Sequence, residues 1–275
     1  MIKPKELKST LSHDGIPLTY MHNEIHPDKK WIVFILPFGL HVNVADAFFS
    51  SFEDNYNIVT WEARTILAEA DQTFEQKDLS VDNHVADLLT ILDTLSIHKS
   101  ILVGYCSGAG VALAAASNHS DRFSDLILVN GEYVQLKDAG CSTQYGRDID
   151  SLLPIASSGE KAAQFILERM NNNTQSSLPP GFHIPFSKAH FLYRYAVNYV
   201  AYRTVDFAAL ARTIEHKTLL ITGGKDKQAN VNSSLKIQKL IDNAQIFIDS
   251  EGDHYEVVRP ESSTLAKISL YLSEL

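Results

Sequence analysis

The run Gly104-Tyr105-Cys106-Ser107-Gly108 sets a thiol between two glycines, where an apolar stretch (residues 100–104) gives way to an alanine-rich one. Read as strand, tight turn and helix, this is the geometry that lifts a nucleophile clear of a sheet, with glycines where side chains would collide with the strained backbone. The following helix points its N-terminus at the sulfur, and that partial positive charge favours a thiolate. A thiolate so placed attacks acyl carbons, and the chemistry expected is covalent acyl transfer through Cys106. Ser107 is a second hydroxyl nucleophile by type. The two glycines are symmetric about Cys106 only, so Ser107 is read as the donor of a backbone N–H to an oxyanion.

The elements that must hold this thiol alternate. A hairpin is expected from residues 7–12 and 16–25 about the turn His13-Asp14-Gly15. Strands follow at 31–36, 57–61, 101–104, 126–129, 218–222 and 246–248. Helices are read at 44–52, from Ser80 through Leu95, at 108–117, 233–241 and 260–272. Ser80 is a capping residue, and Val85, Leu88, Leu89, Ile91, Leu92 and Leu95 give the helical period. Alternating strands and helices imply an α/β protein: a mostly parallel central sheet flanked by helices.

Residues 134–206 interrupt the alternation with a helical segment (160–170), the polar run 171–177 and a set of aromatics. An excursion of this length between core strands reads as a helical cap inserted into a core of residues 1–133 and 207–275. Phe182, Phe186, Phe191, Tyr195 and Tyr199 are its candidate pocket residues, since pockets are mostly apolar and aromatic.

Bulk properties narrow the class. A net charge of −9 and a pI near 5.6 argue against a nucleic-acid or anionic-membrane partner. Two cysteines, Cys106 and Cys141, suggest no disulfide framework, and the N-terminal Met1-Ile2-Lys3-Pro4-Lys5-Glu6 shows no apolar run of a signal peptide. A cytoplasmic location is the expectation. Neither a metal-ligand spacing nor a G-x-G-x-x-G fingerprint occurs, so no metal and no resident cofactor is expected.

From Trp31 onward the chain resembles the α/β-hydrolase superfamily, most closely over residues 80–110. That resemblance implies the α/β-hydrolase fold and a triad in the order nucleophile, acid, histidine. Asp226, in the loop after Leu219-Leu220-Ile221-Thr222, stands where the family keeps its acid, and His254, after the last strand, where it keeps its histidine. Glu132 is the reserve acid, since some thioesterase-like members carry the acid there. The second oxyanion donor is expected from Pro37-Phe38-Gly39-Leu40, in place of the usual His-Gly, as the N–H of Phe38 or of Gly39.

Gly252-Asp253-His254-Tyr255 is similar to the histidine motif of assembly-line thioesterases. The function this implies is cleavage or transfer of an acyl group through an acyl-Cys106 intermediate, as a thioesterase or acyltransferase. The substrate would be a small-molecule acyl group carried by coenzyme A or an acyl carrier protein, on a monomer or homodimer. The alternatives are an ester or lactone hydrolase, like the dienelactone hydrolases that use cysteine, and a ligand-binding member without turnover.

Overall fold

The apolar runs become strands because successive side chains leave a strand on opposite faces, and here both faces are covered. In the strand Trp31–Ile35 (β3), Ile32 and Phe34 enter one buried cluster while Val33 and Ile35 enter the other. The same division holds in Ser100–Tyr105 (β5), where Leu102 faces one layer and Ile101, Val103 and Tyr105 the opposite one. The computed structural model describes residues 5–72, 74–134, 141–171 and 178–275. Residues 1–4, on which the signal-peptide reading partly rests, and 172–177 of the polar run lie outside that set.

The remaining strands are Glu6–Leu11 (β1), Pro17–His22 (β2), Asn57–Trp61 (β4), Phe123–Val129 (β6), Lys217–Gly223 (β7) and Ala244–Asp249 (β8). They form one sheet in the order β1-β2-β4-β3-β5-β6-β7-β8. The β1–β2 and β2–β4 pairs are antiparallel and every other pair is parallel. This is the α/β-hydrolase fold, with β5 and its cysteine near the middle of the sheet.

The helices are Asp46–Phe52 (α1), Val81–Thr94 (α2), Ser107–Asn118 (α3), Gln144–Ala156 (α4), Glu160–Asn171 (α5), Ala189–Tyr202 (α6), Phe207–Ala211 (α7), Val231–Gln238 (α8) and Ser263–Ser273 (α9). Ser80 caps α2 as its type predicts, its Oγ accepting from the Asn83 N–H at 3.2 Å. The α3 helix is buried on every side from Gly108 to Ala116, and its alanines let it lie flat against the strands. Three helices, α4, α5 and α6, share their own apolar cluster, built on Ile149, Leu153, Ala163, Ile166 and Leu192.

Some boundaries differ from the sequence reading. The second hairpin arm stops at His22, not residue 25, because the Asn23 side chain replaces the ladder: Oδ1 accepts from Ile58 N–H (2.7 Å) and Nδ2 donates to Tyr56 O (2.9 Å). The last helix starts at Ser263, not residue 260, since Ser262 is its cap and Glu261 has a positive φ of 57°. The stretch expected as one helix over 44–52 begins as a 3-10 turn, Val42–Ala45. Among the described residues, no helix is long and apolar enough to cross a membrane, and no group of three or more His, Cys, Asp or Glu could hold a metal ion.

Candidate active site

Cys106 sits between β5 and α3 with φ 53° and ψ −120°, a conformation that side chains other than glycine rarely adopt. Its backbone N–H donates to Val129 O at 2.9 Å, which fixes the turn against the end of β6. The close packing explains both glycines. A Cβ on Gly104 would stand 2.5 Å from the Gly108 carbonyl oxygen, and one on Gly108 would stand 2.3 Å from Ile35 O. Any larger residue at either position would push the turn off the strands.

The other two candidate triad residues meet beside it. His254 Nδ1 lies 2.7 Å from Asp226 Oδ2, both side chains being almost wholly buried. The second oxygen of Asp226 accepts from the N–H groups of Gln228 (2.7 Å) and Ala229 (2.9 Å), so the carboxylate cannot swing away. Burial alone would push the His254 pKa down. The charges of Asp226 and of the Cys106 sulfur outweigh it and raise the value to about 10. The carboxylate on one side and the sulfur on the other thus both favour a proton on the ring.

The loop carrying His254 is tied to the sheet from beneath. Tyr105 Oη donates to the His254 carbonyl at 2.9 Å, and Asn130 Nδ2 donates to the same carbonyl at 3.0 Å and to Asp253 O at 3.1 Å. Asn130 Oδ1 accepts from Gly223 N–H at 3.0 Å, with Asn130 in the left-handed region (φ 46°) that asparagine tolerates. Nothing in the sequence reading had singled out Asn130. A lone asparagine just after a buried strand was the available signal.

Of the two candidate donors after β3, Phe38 stands at the thiol. It lines the cavity with Cys106 and Ser107, and its N–H donates to Ser107 Oγ at 3.1 Å. Gly39 turns elsewhere, its free α-position facing Pro185 and Ile66. The Phe38 ring is stacked on His84 (4.6 Å between centroids) and meets Tyr202 edge-on. His84 is neutral, since burial lowers its pKa to about 4, and its Nε2 lies 2.6 Å from Asn198 Oδ1 on α6. The Phe38 loop is thus clamped between α2 and α6.

Two chambers meet at the sulfur. The inner one is lined by Tyr145, Ile149, Tyr195, Tyr199 and Tyr202 and ends on Glu132 and Arg203. The outer one runs past Leu40, Leu178, Phe182, Pro185 and Phe186 to Tyr255. Four of the five candidate pocket aromatics therefore line a chamber. Phe191 does not: it is buried beneath the Lys188 ammonium, 4.7 Å from its ring centre, outside both chambers. Glu132 is not on the imidazole either. Its nearest charged neighbour is Arg203, at 3.7 Å, and the position beside the ring is filled by Asp226. Tyr145, Gln228 and Arg203 were missed by the sequence reading: α4 brings Tyr145 here, the end of α6 brings Arg203, and the loop after β7 brings Gln228.

The comparisons with known proteins agree with this geometry at the level of fold. A family profile described as the alpha/beta hydrolase fold matches residues 63–257. The chain is 23% identical over 208 residues to the L-allo-isoleucyltransferase of Pseudomonas savastanoi pv. glycinea, covering 74% of this chain and 73% of that protein. It is 27% identical over 208 residues to the 2-hydroxymuconate semialdehyde hydrolase of Pseudomonas sp. strain CF600, covering 72% and 69%. Among solved structures, the enol-lactonase of Burkholderia xenovorans LB400 superposes with a TM-score of 0.71 at 16% identity, over 97% of this chain and all (100%) of that one. A hydrolase of Pseudomonas aeruginosa does so with 0.74 at 17% identity, covering 97% and 98%.

Proposed function

The chain belongs to the α/β-hydrolase family, and on that premise we propose that it is an acyl-transferring enzyme that works through an acyl-Cys106 intermediate formed from a thioester. The observation that carries this reading is the sulfur on its positive-φ turn, facing an imidazole that Asp226 holds in its charged form. The Cys106 thiolate attacks the carbonyl carbon, and the carbonyl oxygen takes the charge. The N–H of Ser107 at the head of α3 and the N–H of Phe38 receive that oxyanion. Until then the Ser107 hydroxyl keeps the Phe38 amide in place. When the carbon–sulfur bond to the leaving group breaks, His254 gives its proton to the departing thiolate. The acceptor then gives a proton back to His254 as it attacks the acyl-cysteine, and the bond from the acyl carbon to Cys106 Sγ breaks to return the thiolate.

A thioester substrate matches a thiol nucleophile, because exchanging one thioester for another is nearly isoenergetic. The inner chamber suits the acyl group and the outer one the arm of the carrier. The transferase activity in the name of the Pseudomonas savastanoi relative supports an acceptor other than water. The hydrolase names of the other relatives support the second reading, in which water is the acceptor.

Intact-protein mass spectrometry with an N-acetylcysteamine acyl thioester tests the mechanism. The expected result is an acyl adduct on the wild type, none on Cys106→Ala, and adduct formation slowed by about 10²–10⁴-fold in His254→Ala. Turnover by Cys106→Ala at the wild-type rate overturns the reading. Adding an amine, and asking whether acid or amide accumulates, separates transferase from hydrolase.

A further inference from the structure

The inner chamber ends on a group of charges that the acyl-transfer steps leave unused. Glu132 has both carboxylate oxygens buried, and no hydrogen bond of ordinary geometry reaches either among the described residues, although the Asn230 amide lies near enough to favour the charged form. Arg203, whose side chain is 1% exposed, is the cation nearest to it, at 3.7 Å. That guanidinium is committed elsewhere: Nη2 donates to Asp150 Oδ2 at 2.6 Å and Nη1 donates to the Val134 carbonyl. The other oxygen of Asp150 accepts from Tyr199 Oη at 2.5 Å. Asp150 therefore holds Arg203 closely, and Glu132 keeps only the longer ion pair with it, at 3.7 Å. Arg203 Nε is also buried and unpartnered.

Buried polar groups without partners are costly, and one that borders a cavity calls for an account, of which a ligand is one. We propose that Glu132 is the receptor for a protonated primary amine on the acyl group, so that the enzyme's substrate class is aminoacyl thioesters. The proposal rests on the acyl-Cys106 reading for its chemistry, but not for its binding. An ammonium supplies three donors, and Glu132 offers two acceptors in a chamber lined mostly by apolar and aromatic side chains. The arrangement is selective by its cost: a neutral acyl group of the same shape leaves the carboxylate bare. An acidic acyl group meets that carboxylate with its own charge.

Burial raises the pKa of Glu132 to about 7, with Arg203, the Asn230 amide, Asp226 and Asp150 as the groups acting on it. An arriving ammonium favours the ionised form, so binding releases a proton from Glu132 in neutral solution and weakens below pH 7.

Equilibrium binding of three stable amides to the wild-type protein, measured by calorimetry at pH 7.5, tests the site without requiring Cys106 to react. L-leucinamide carries the cation, 4-methylpentanamide lacks it, and succinamate carries an anion. The expected result is L-leucinamide bound about 100-fold more tightly than 4-methylpentanamide, succinamate weakest, and the preference for the amine lost in Glu132→Gln. Equal or tighter binding of either other amide overturns the proposal, as does a preference that survives in Glu132→Gln. Acyl adducts on Cys106 with no amine preference overturn the subsite alone. An amine preference without adducts supports the subsite and overturns the acyl-enzyme.

Discussion

Two buried arginines in this protein sit in clusters of the same composition, one guanidinium and two carboxylates, and the clusters are finished differently. Arg64 is closed. Its Nε donates to Asp87 Oδ2 and its Nη1 to Asp14 Oδ2, each at 2.7 Å, while Nη2 reaches both carboxylates. It pins the hairpin turn and α2 to the loop after β4, and its side chain is fully buried. Arg203 is open: one carboxylate holds it, the other stands off at 3.7 Å, and its Nε has no partner. The closed cluster fixes the frame, and the open one lines the chamber that also reaches the Cys106 sulfur. The difference teaches that two buried clusters of one composition can differ in how completely their hydrogen bonds are made, and that the incomplete one is the one beside a cavity.

The contrast can be broken at either end. Arg64→Leu leaves Asp87 buried without its partner and is expected to lower the unfolding free energy by about 3–5 kcal/mol, read from urea transitions. A smaller loss would mean that the closed cluster holds less of the frame than its geometry implies. Glu132→Gln carries the opposite sign. The folded pKa of this carboxyl lies above its ordinary value of 4.5, so ionising it opposes folding. The penalty is absent below about pH 4.5 and full above about 7. The variant is expected to unfold like the wild type at pH 4.5 and to be about 1–3 kcal/mol more stable at pH 8. Destabilisation at pH 8 would show that Glu132 is paired after all. The mildest change is Asp14→Ala. This carboxylate is 32% exposed and Asp87 still holds Arg64, so a loss of about 1 kcal/mol is expected.

The sheet and the thiol turn were legible because their signals are local. Residues 100–104 must be buried on both faces, and only glycine fits where Gly104 and Gly108 touch backbone. His254 and Asp226 could be named from chain order and the resemblance, and the structure brings them together at 2.7 Å. The chamber was less legible. Residues four apart on a helix drift by about 40° of rotation per step, so Phe191 and Tyr199 share a sequence pattern without sharing a face. Glu132 could be read only as a spare acid, because its situation depends on Arg203, just after α6, and on Asp150 of α4, which only the folded chain brings beside it.

The tie at Asn130 has a consequence for the edge of the sheet. β8 is an edge strand with several side chains half-exposed or exposed, and strands of that kind open and exchange their amide protons first. The carbonyl of His254 hangs instead from Tyr105 at the end of β5 and from Asn130 just after β6, both inside the sheet. The imidazole is thus anchored at two points that do not belong to the rim strand. The edge of the sheet and the histidine that follows it in the chain answer to different supports.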